Sequence, residues 1–388
     1  MNTPSKRLLA APILLALMAG SAPADTIRVG VIAPLSGPFA IWGQQFQQAI
    51  EVFQAQNGTE VGDHTIEFLY RDSGGPNPDQ SRAMAQELLI REQVDYIGGL
   101  VFTPNALAVA ELLTQSETPG VIFNAATSII TQQSDYFVRT GFTLWQVTVP
   151  MADWALEQGI TTAVTAVTDY GPGIDAENAF RSAFEAGGGT VLDQIRMPIS
   201  TTDFAPFMQR VRDQSPQAVF GFLPAGPPTY AFTRAYNEND LQGAGITFLG
   251  TGETDETTLD ALGDQALGLH TAYHYSAAHD SAMNHAFTAM LAEMYPDSVA
   301  NLASVGAYDG AALIYHMVDV AGSDGPAAIE AARGYAWESP RGPVSIDPVT
   351  RHITQNVYIR EVDHDENGRL INREIATIEA VPDLGLSQ

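Results

Sequence analysis

The sequence predicts an α/β protein built as two doubly wound lobes, and three observations predict it. Strand-like segments and segments with a helix's i, i+3, i+4, i+7 stripe follow one another through most of the chain. That series runs through "PGVIFNA" and then starts again at "LWQVTVPMADWALEQG". The strand candidates are strongly apolar, which suits parallel sheets covered by helices on both faces.

The elements follow in order. "MNTPSKRLLAAPILLALMAGSAPADT" has Lys6 and Arg7, an apolar run from Leu8 to Met18, then Ala22-Pro23-Ala24. That order is a secretory signal peptide over residues 1–24, with cleavage expected after Ala24. "TIRVGVIAPL" is a strand. "QQFQQAIEVFQAQNG" places Phe46, Ala49, Ile50 and Phe53 on one helical stripe, closed by Asn57-Gly58. "HTIEFLYRD" alternates Ile66, Phe68 and Tyr70 as a strand does. A helix is expected from about Asp79 to Arg91. "VDYIGGLV" is a strand, "PNALAVAELLTQS" a helix opened by Pro104, and "PGVIFNA" a strand. In the second round "ITTAVTAVTDYGPG" is a strand and "IDAENAFRSAFEAGGG" a helix closed by glycines. "TVLDQIRMP", "DFAPFMQRVRDQ", "PQAVFGFLP", "TYAFTRAYNEN" and "ITFLGTG" continue the alternation. After about residue 275 two or three helices come in a row, ending near Trp337. "GPVSI", "QNVYIREV" and "LINREIATI" then read as strands joined by turns.

Composition removes several function classes. With 18 basic against 45 acidic residues the formal net charge is −27, a surface that repels nucleic acid and anionic membranes. Lys6 is the only lysine, so the mature chain has none. Schiff-base chemistry, lysine-bound pyridoxal phosphate and a phosphate-loop lysine are therefore excluded. There is no cysteine, hence no disulfide and no lipid-anchored N-terminal cysteine.

In an open α/β sheet, ligands bind outside the carboxyl ends of the strands. The loops to read are therefore "SGPFAIWG", "VFTPNA", "NAATS", "TDYGPGID", "LPAGPPTY" and "TGETDE". In the first, Gly37 and Gly43 do not fit a dinucleotide loop and no GK[ST] follows. Its odd feature is Trp42, a large ring where a short turn would suffice, either a core residue or an apolar wall for a ligand. No G-x-S-x-G elbow occurs. His270 and His274 are four apart, but their segment reads as extended, which separates the rings. Asp363, Asp365, Asn367, Gly368 and Glu374 fit the spacing of a calcium loop, yet strands rather than helices flank them and Asn367-Gly368 is a hairpin turn. Glu253, at a strand end, is either an acidic cap on the next helix or a cleft carboxylate that pairs with an ammonium group.

Taken together, "APLSGPFAIWG", "IGGLVFTPNA", "NAAT", "FVRTGFT", "TDYGPGID" and "GTGETDE", in that order, resemble the leucine/isoleucine/valine-type solute-binding proteins of ABC transporters. The branch for branched-chain amino acids, amides and aromatic acids is the more similar one. The resemblance covers nearly the whole mature chain. It implies the type I periplasmic binding protein fold, with lobes joined by three crossovers that close like a hinged clamp. The lobes are expected over 25–143 with 276–335, and 144–275 with 336–388. It implies that Trp42 covers the ligand and that Phe102, Thr103, Ala125 and Thr127 stand where a carboxylate is gripped by N–H groups and hydroxyls. Tyr170 and Glu253 match ligand-facing positions of the second lobe. Phe102, where relatives often have tyrosine or serine, and the prolines of "FLPAGPPTY" depart from the pattern.

The function this implies is a non-enzymatic, monomeric periplasmic receptor, without cofactor, that delivers a small carboxylate to an ABC permease in the inner membrane. With Glu253 as counter-ion, amino acids stand slightly ahead of aromatic acids. Two alternatives stay open: a ligand sensor of the same fold coupled to a signalling partner, and an exported metal-dependent hydrolase using the loop at Asp363.

Overall fold

A computed structural model of the chain describes residues 25–224 and 226–387. The segment read as a signal peptide lies outside them. Among the described residues no helix is long and apolar enough to cross a membrane.

The first round of the alternation forms one sheet. Its elements are β1 (Asp25–Ala33), α1 (Ala40–Asn57), β2 (Glu60–Val61), β3 (His64–Asp72), α2 (Pro78–Glu87), β4 (Tyr96–Gly99), α3 (Thr103–Ser116), β5 (Gly120–Ile122) and β6 (Phe137–Arg139). The strands order as β2-β3-β1-β4-β5-β6, parallel except for β2. Side-chain alternation along β1 decides what covers each face. Val29, Val31 and Ala33 pack with Phe46, Ile50 and Phe53 of α1, while Ile32 packs with Ala85, Leu88 and Val109 from α2, the turn after it, and α3.

The second round builds a nine-stranded sheet. It begins with α4 (Leu144–Glu157), β7 (Thr162–Thr168), α5 (Gly171–Ala186), β8 (Thr190–Met197), α6 (Ala205–Gln214) and β9 (Ala218–Phe222). It continues with α7 (Pro227–Glu238), β10 (Thr247–Gly250), α8 (Glu256–Leu262) and β11 (His270–Tyr273). Then come α9 (Ala282–Met294), α10 (Leu302–Ala321) and α11 (Gly325–Ala332), of which α10 returns to the first sheet and packs with α1. The chain ends in β12 (Ala336–Ser339), β13 (Gly342–Ile346), β14 (Ile353–His364) and β15 (Leu370–Val381), which extend the second sheet in antiparallel fashion beside β11. The second sheet is therefore mixed rather than wholly parallel.

Two expected boundaries shift. The helical run expected to end near Trp337 stops earlier, because Gly334, at φ +72, turns the chain just past α11. Trp337 consequently lies in β12, where its indole donates to Asp309 Oδ1 at 2.9 Å. Trp42 stands in the first turn of α1 instead of in a loop before it.

The chain passes between the sheets at 140–143, 274–281 and 333–335. Buried arginines strap these passages. Arg341 pairs with Asp309 and donates to the carbonyls of Thr140 and Gly141. Arg360 donates to the carbonyls of Tyr275 and Thr251 and lies over the Tyr273 ring at 5.2 Å.

Candidate functional site

The carboxyl ends of both sheets face one cavity of about 170 Å³. The first sheet contributes Trp42, Phe102, Thr103, Asn124 and Ala126; the second contributes Tyr170, Phe222, Leu223, Thr251, Glu253 and Tyr273; Phe142 comes from the first passage between them. Seven aromatic rings line this wall, Phe39 among them. Phe39 meets Phe102 edge-on at 5.0 Å, Phe142 meets Tyr273 at 5.0 Å, and Tyr170 stacks near Phe222 at 6.4 Å. Such a chamber suits a flat apolar body. Its volume lies below the roughly 300–1,000 Å³ of sites for drug-sized molecules and fits a one-ring ligand.

Local sequence places these groups. Gly43 donates its N–H to Pro34 O at 3.1 Å, and a Cβ there would stand 2.3 Å from that oxygen. Only glycine lets the start of α1 lie on the end of β1, and this brings Trp42 to the cavity. Asp72 fixes the preceding loop, accepting from Ser36 Oγ at 2.6 Å and Leu35 N at 2.8 Å. Leu100 takes φ +64 at the end of β4, a conformation that costs free energy outside glycine, and the chain then turns into α3 with Phe102 as its N-cap.

No lysine, arginine or histidine lines the cavity among the described residues. An anion must therefore be held by N–H groups, hydroxyls and helix ends. The starts of α3, α5 and α7 border the cavity through Phe102 to Pro104, Tyr170 with Pro172, and Pro228. Each such end leaves N–H groups without intrahelical acceptors and carries roughly half a positive charge. Thr103 Oγ1 lies 2.9 Å from Thr127 Oγ1, so Thr127 stands behind the wall and orients Thr103. Ala125 is buried in the core beneath, while its neighbours Asn124 and Ala126 reach the cavity.

Of the two roles that its sequence context offers Glu253, the acidic cap of α8 belongs to Asp255, which accepts from Thr257 N at 3.2 Å. Glu253 lies on the cavity wall, 2 % exposed, with Oε1 accepting from Leu223 N at 3.1 Å and Oε2 from Thr251 N at 2.5 Å. Burial pushes its pKa up to about 7, against the opposing pull of the Thr251 and Leu223 amides. Tyr170, whose phenol is pushed up by burial and then by the Glu253 charge, stands beside it.

The other constellations have different occupations. His270 stacks on Trp154 at 5.1 Å, whereas His274 is fully buried against Phe142 at 4.9 Å. In the calcium-like segment Asp363 pairs with Arg373, Asp365 with Arg369, and Glu374 with His279. No cluster of three or more metal-ligating side chains occurs among the described residues.

Reasoning from sequence misses Phe142, Phe222, Thr251 and Tyr273. Phe222 and Tyr273 end β9 and β11, so the strand-end rule could have named them. Phe142 and Ile199 sit in irregular segments that carry no comparable signal.

The periplasmic binding protein profile matches residues 26–369. A Leu/Ile/Val-binding protein homolog 6 of Brucella abortus is 48% identical over 389 residues, covering 98% of this chain and 99% of that one. A solute-binding protein of an ABC transporter from R. palustris, solved in complex with 4-hydroxybenzoate, is 51% identical with a TM-score of 0.90, covering 93% of this chain and 99% of that one. A further one from Rhodopseudomonas palustris BisB5, in complex with 3,4-dihydroxybenzoic acid, is 42% identical with a TM-score of 0.89, covering 93% and 99%.

Proposed function

Since the chain belongs to the periplasmic binding protein family, we propose that it captures a small aromatic carboxylate of the hydroxybenzoate class and presents it to the membrane subunits of an ABC transporter. The observation that carries this reading is the cavity wall: aromatic rings around a small volume, helix N-termini for an anion, and no cationic side chain among the described residues. The proteins solved with 4-hydroxybenzoate and 3,4-dihydroxybenzoic acid, at 51% and 42% identity, support it.

This reverses the order in which the sequence places amino acids and aromatic acids. A counter-ion for an ammonium group must be ionised, whereas a hydroxyl needs only an acceptor position. The Glu253 carboxyl already accepts two backbone N–H bonds, and burial favours its neutral form up to about pH 7. The carboxylate end of the ligand is assigned to the first lobe, at Thr103 and the start of α3, away from Glu253. The jaws of the clamp are residues 25–143 with 276–335 and 144–275 with 336–388. The mature chain starts at Asp25 in the periplasm and works as a monomer.

Titration calorimetry with 4-hydroxybenzoate, benzoate, leucine and glucose tests the reading. The aromatic carboxylates should bind at micromolar Kd or tighter, about −8 kcal/mol. Tight leucine binding with no response to either aromatic acid would refute it.

A further inference from the structure

We propose that Glu253 reads a ring hydroxyl at the second-lobe end of the ligand and thereby makes the receptor select hydroxylated over plain aromatic carboxylates. The inference rests on the aromatic-carboxylate reading above and adds the residue that decides among such ligands.

The two ends of the cavity differ chemically. At the first-lobe end stand Thr103, Asn124 and the N-terminus of α3, a set of donors without an acidic group. At the second-lobe end stand Glu253 and the phenols of Tyr170 and Tyr273. An anionic carboxylate beside Glu253 would meet like charge in a buried site, so the carboxylate belongs at the first-lobe end and the opposite edge of the ring faces Glu253.

Glu253 is held for that contact. Oε2 accepts from both Thr251 N and, at 3.4 Å, Thr251 Oγ1, whereas Oε1 accepts from Leu223 N and keeps a second acceptor position. Gly250 makes room for the carboxyl, since a Cβ there would stand 2.6 Å from Oε2. Arg360 fixes the same turn from behind through Thr251 O at 3.1 Å. A carboxylate fixed in this way accepts a hydroxyl proton without reorganising. A ligand with no donor at that edge leaves the remaining acceptor position of Oε1 desolvated and unpaired, and a site built for a hydroxyl discriminates strongly against ligands that lack it.

The titratable groups facing Glu253 are Tyr170 from α5 and Tyr273 from β11. Asp255 and Glu256 turn away, to Asn301 and Asn372. With its pKa pushed to about 7, Glu253 is increasingly ionised as pH rises from 6 to 8. A hydroxyl donor stabilises the ionised form. The advantage of a hydroxylated ligand must therefore grow with pH over that interval.

The test is calorimetry of the mature protein with benzoate, 4-fluorobenzoate and 4-hydroxybenzoate at pH 6, 7 and 8. The wild type should bind 4-hydroxybenzoate at least tenfold tighter than the other two at pH 8, with a smaller ratio at pH 6. In Glu253→Gln the ratio should fall below threefold and stop changing with pH, whatever happens to benzoate itself. If that variant fails to fold, the wild-type pH trend of the ratio decides. A wild type that binds all three equally, or a ratio with no pH trend, overturns the inference while leaving the aromatic-carboxylate reading intact. A wild type that binds none of them overturns both.

Discussion

Trp42 owes its place to its neighbour. Gly43 cannot carry a side chain without striking Pro34 O, so α1 starts hard against β1 and its first turn presents the indole to the cavity. The ring is only half-buried in the described structure, which leaves apolar area for a ligand to cover. Removing the ring should cost at least tenfold in affinity for 4-hydroxybenzoate, about 1.4 kcal/mol. Calorimetry on Trp42→Ala against wild type checks this, and equal affinities would return Trp42 to a packing role. Phe102, Thr103, Tyr170 and Glu253 are legible as cavity residues because each sits just past a strand end, and Trp42 because it is a large ring in the segment that follows β1. Ala125 and Thr127 show the limit of that rule. Past β5 successive side chains alternate, so Asn124 and Ala126 reach the cavity while Ala125 turns into the core. A one-residue shift inverts that choice, and composition does not set the register. The orientation of Glu253 is equally unreadable, because the amides that hold it come from Leu223, thirty positions away, as well as from Thr251.

At the scale of elements, the β14–β15 hairpin shows how spacing misleads when geometry is unknown. Its turn has the residues of a calcium loop, but Gly368 takes φ +76 and Asp365 Oδ1 accepts from Asn367 N and Arg369 N, as a tight turn requires. The Arg369 bonds hold Asp365 down to about 2, so it is an occupied carboxylate at any ordinary pH. Millimolar calcium or a chelator should therefore leave the melting temperature unchanged within a degree or so, because only a ligand that binds the native state shifts it. A calcium-dependent rise of several degrees in a thermal melt would restore the metal reading. The strands of this hairpin are legible from alternation, as are most helices and strands of both rounds. β12 is not. The preceding alanine-rich helix shares its apolar character, and only pairing with β13 distinguishes the two states.

At the scale of the whole molecule, the clamp proposed above predicts an effect of closure on charges that lie between the two sheets. Asp175, on α5 of the second sheet's layer, lies beside Thr127 and Ser128 of the first, and its Oδ2 is buried with no partner. Around it stand Arg139, Asp383 and, through them, His352. Burial first, then the Asp383 charge, push Asp175 up to about 6 from an ordinary 3.8, although Arg139 pulls the other way. The neighbours do not titrate in the same range. Burial and Arg139 push His352 down to about 3, and burial lowers Arg139 only to about 10. Asp383 is held below its usual value by His352 and the hydroxyls of Thr143 and Ser128, although burial opposes them. On the clamp proposed above, with the described form as the shut one, opening the jaws returns Asp175 to water and towards its ordinary pKa. Between those two values the shut form holds a proton that the open form lacks, so closure takes up a proton and strengthens as pH falls through 6. Above 6 the ionised carboxylate opposes closure, and ligand affinity is lower by the same factor. Asp175 is partly exposed, so the effect is expected to be severalfold rather than the full shift. Asp175→Asn, which has no charge to bury, should bind benzoate severalfold tighter than wild type at pH 7.5, and the ratio should shrink as pH falls below 6 and vanish only near the ordinary carboxylate value of 3.8. Calorimetry across that range measures the ratio directly, and because Glu253 titrates alike in both proteins, the ratio isolates Asp175. A ratio that does not change with pH would show that the carboxylate keeps the same surroundings in the open and shut forms.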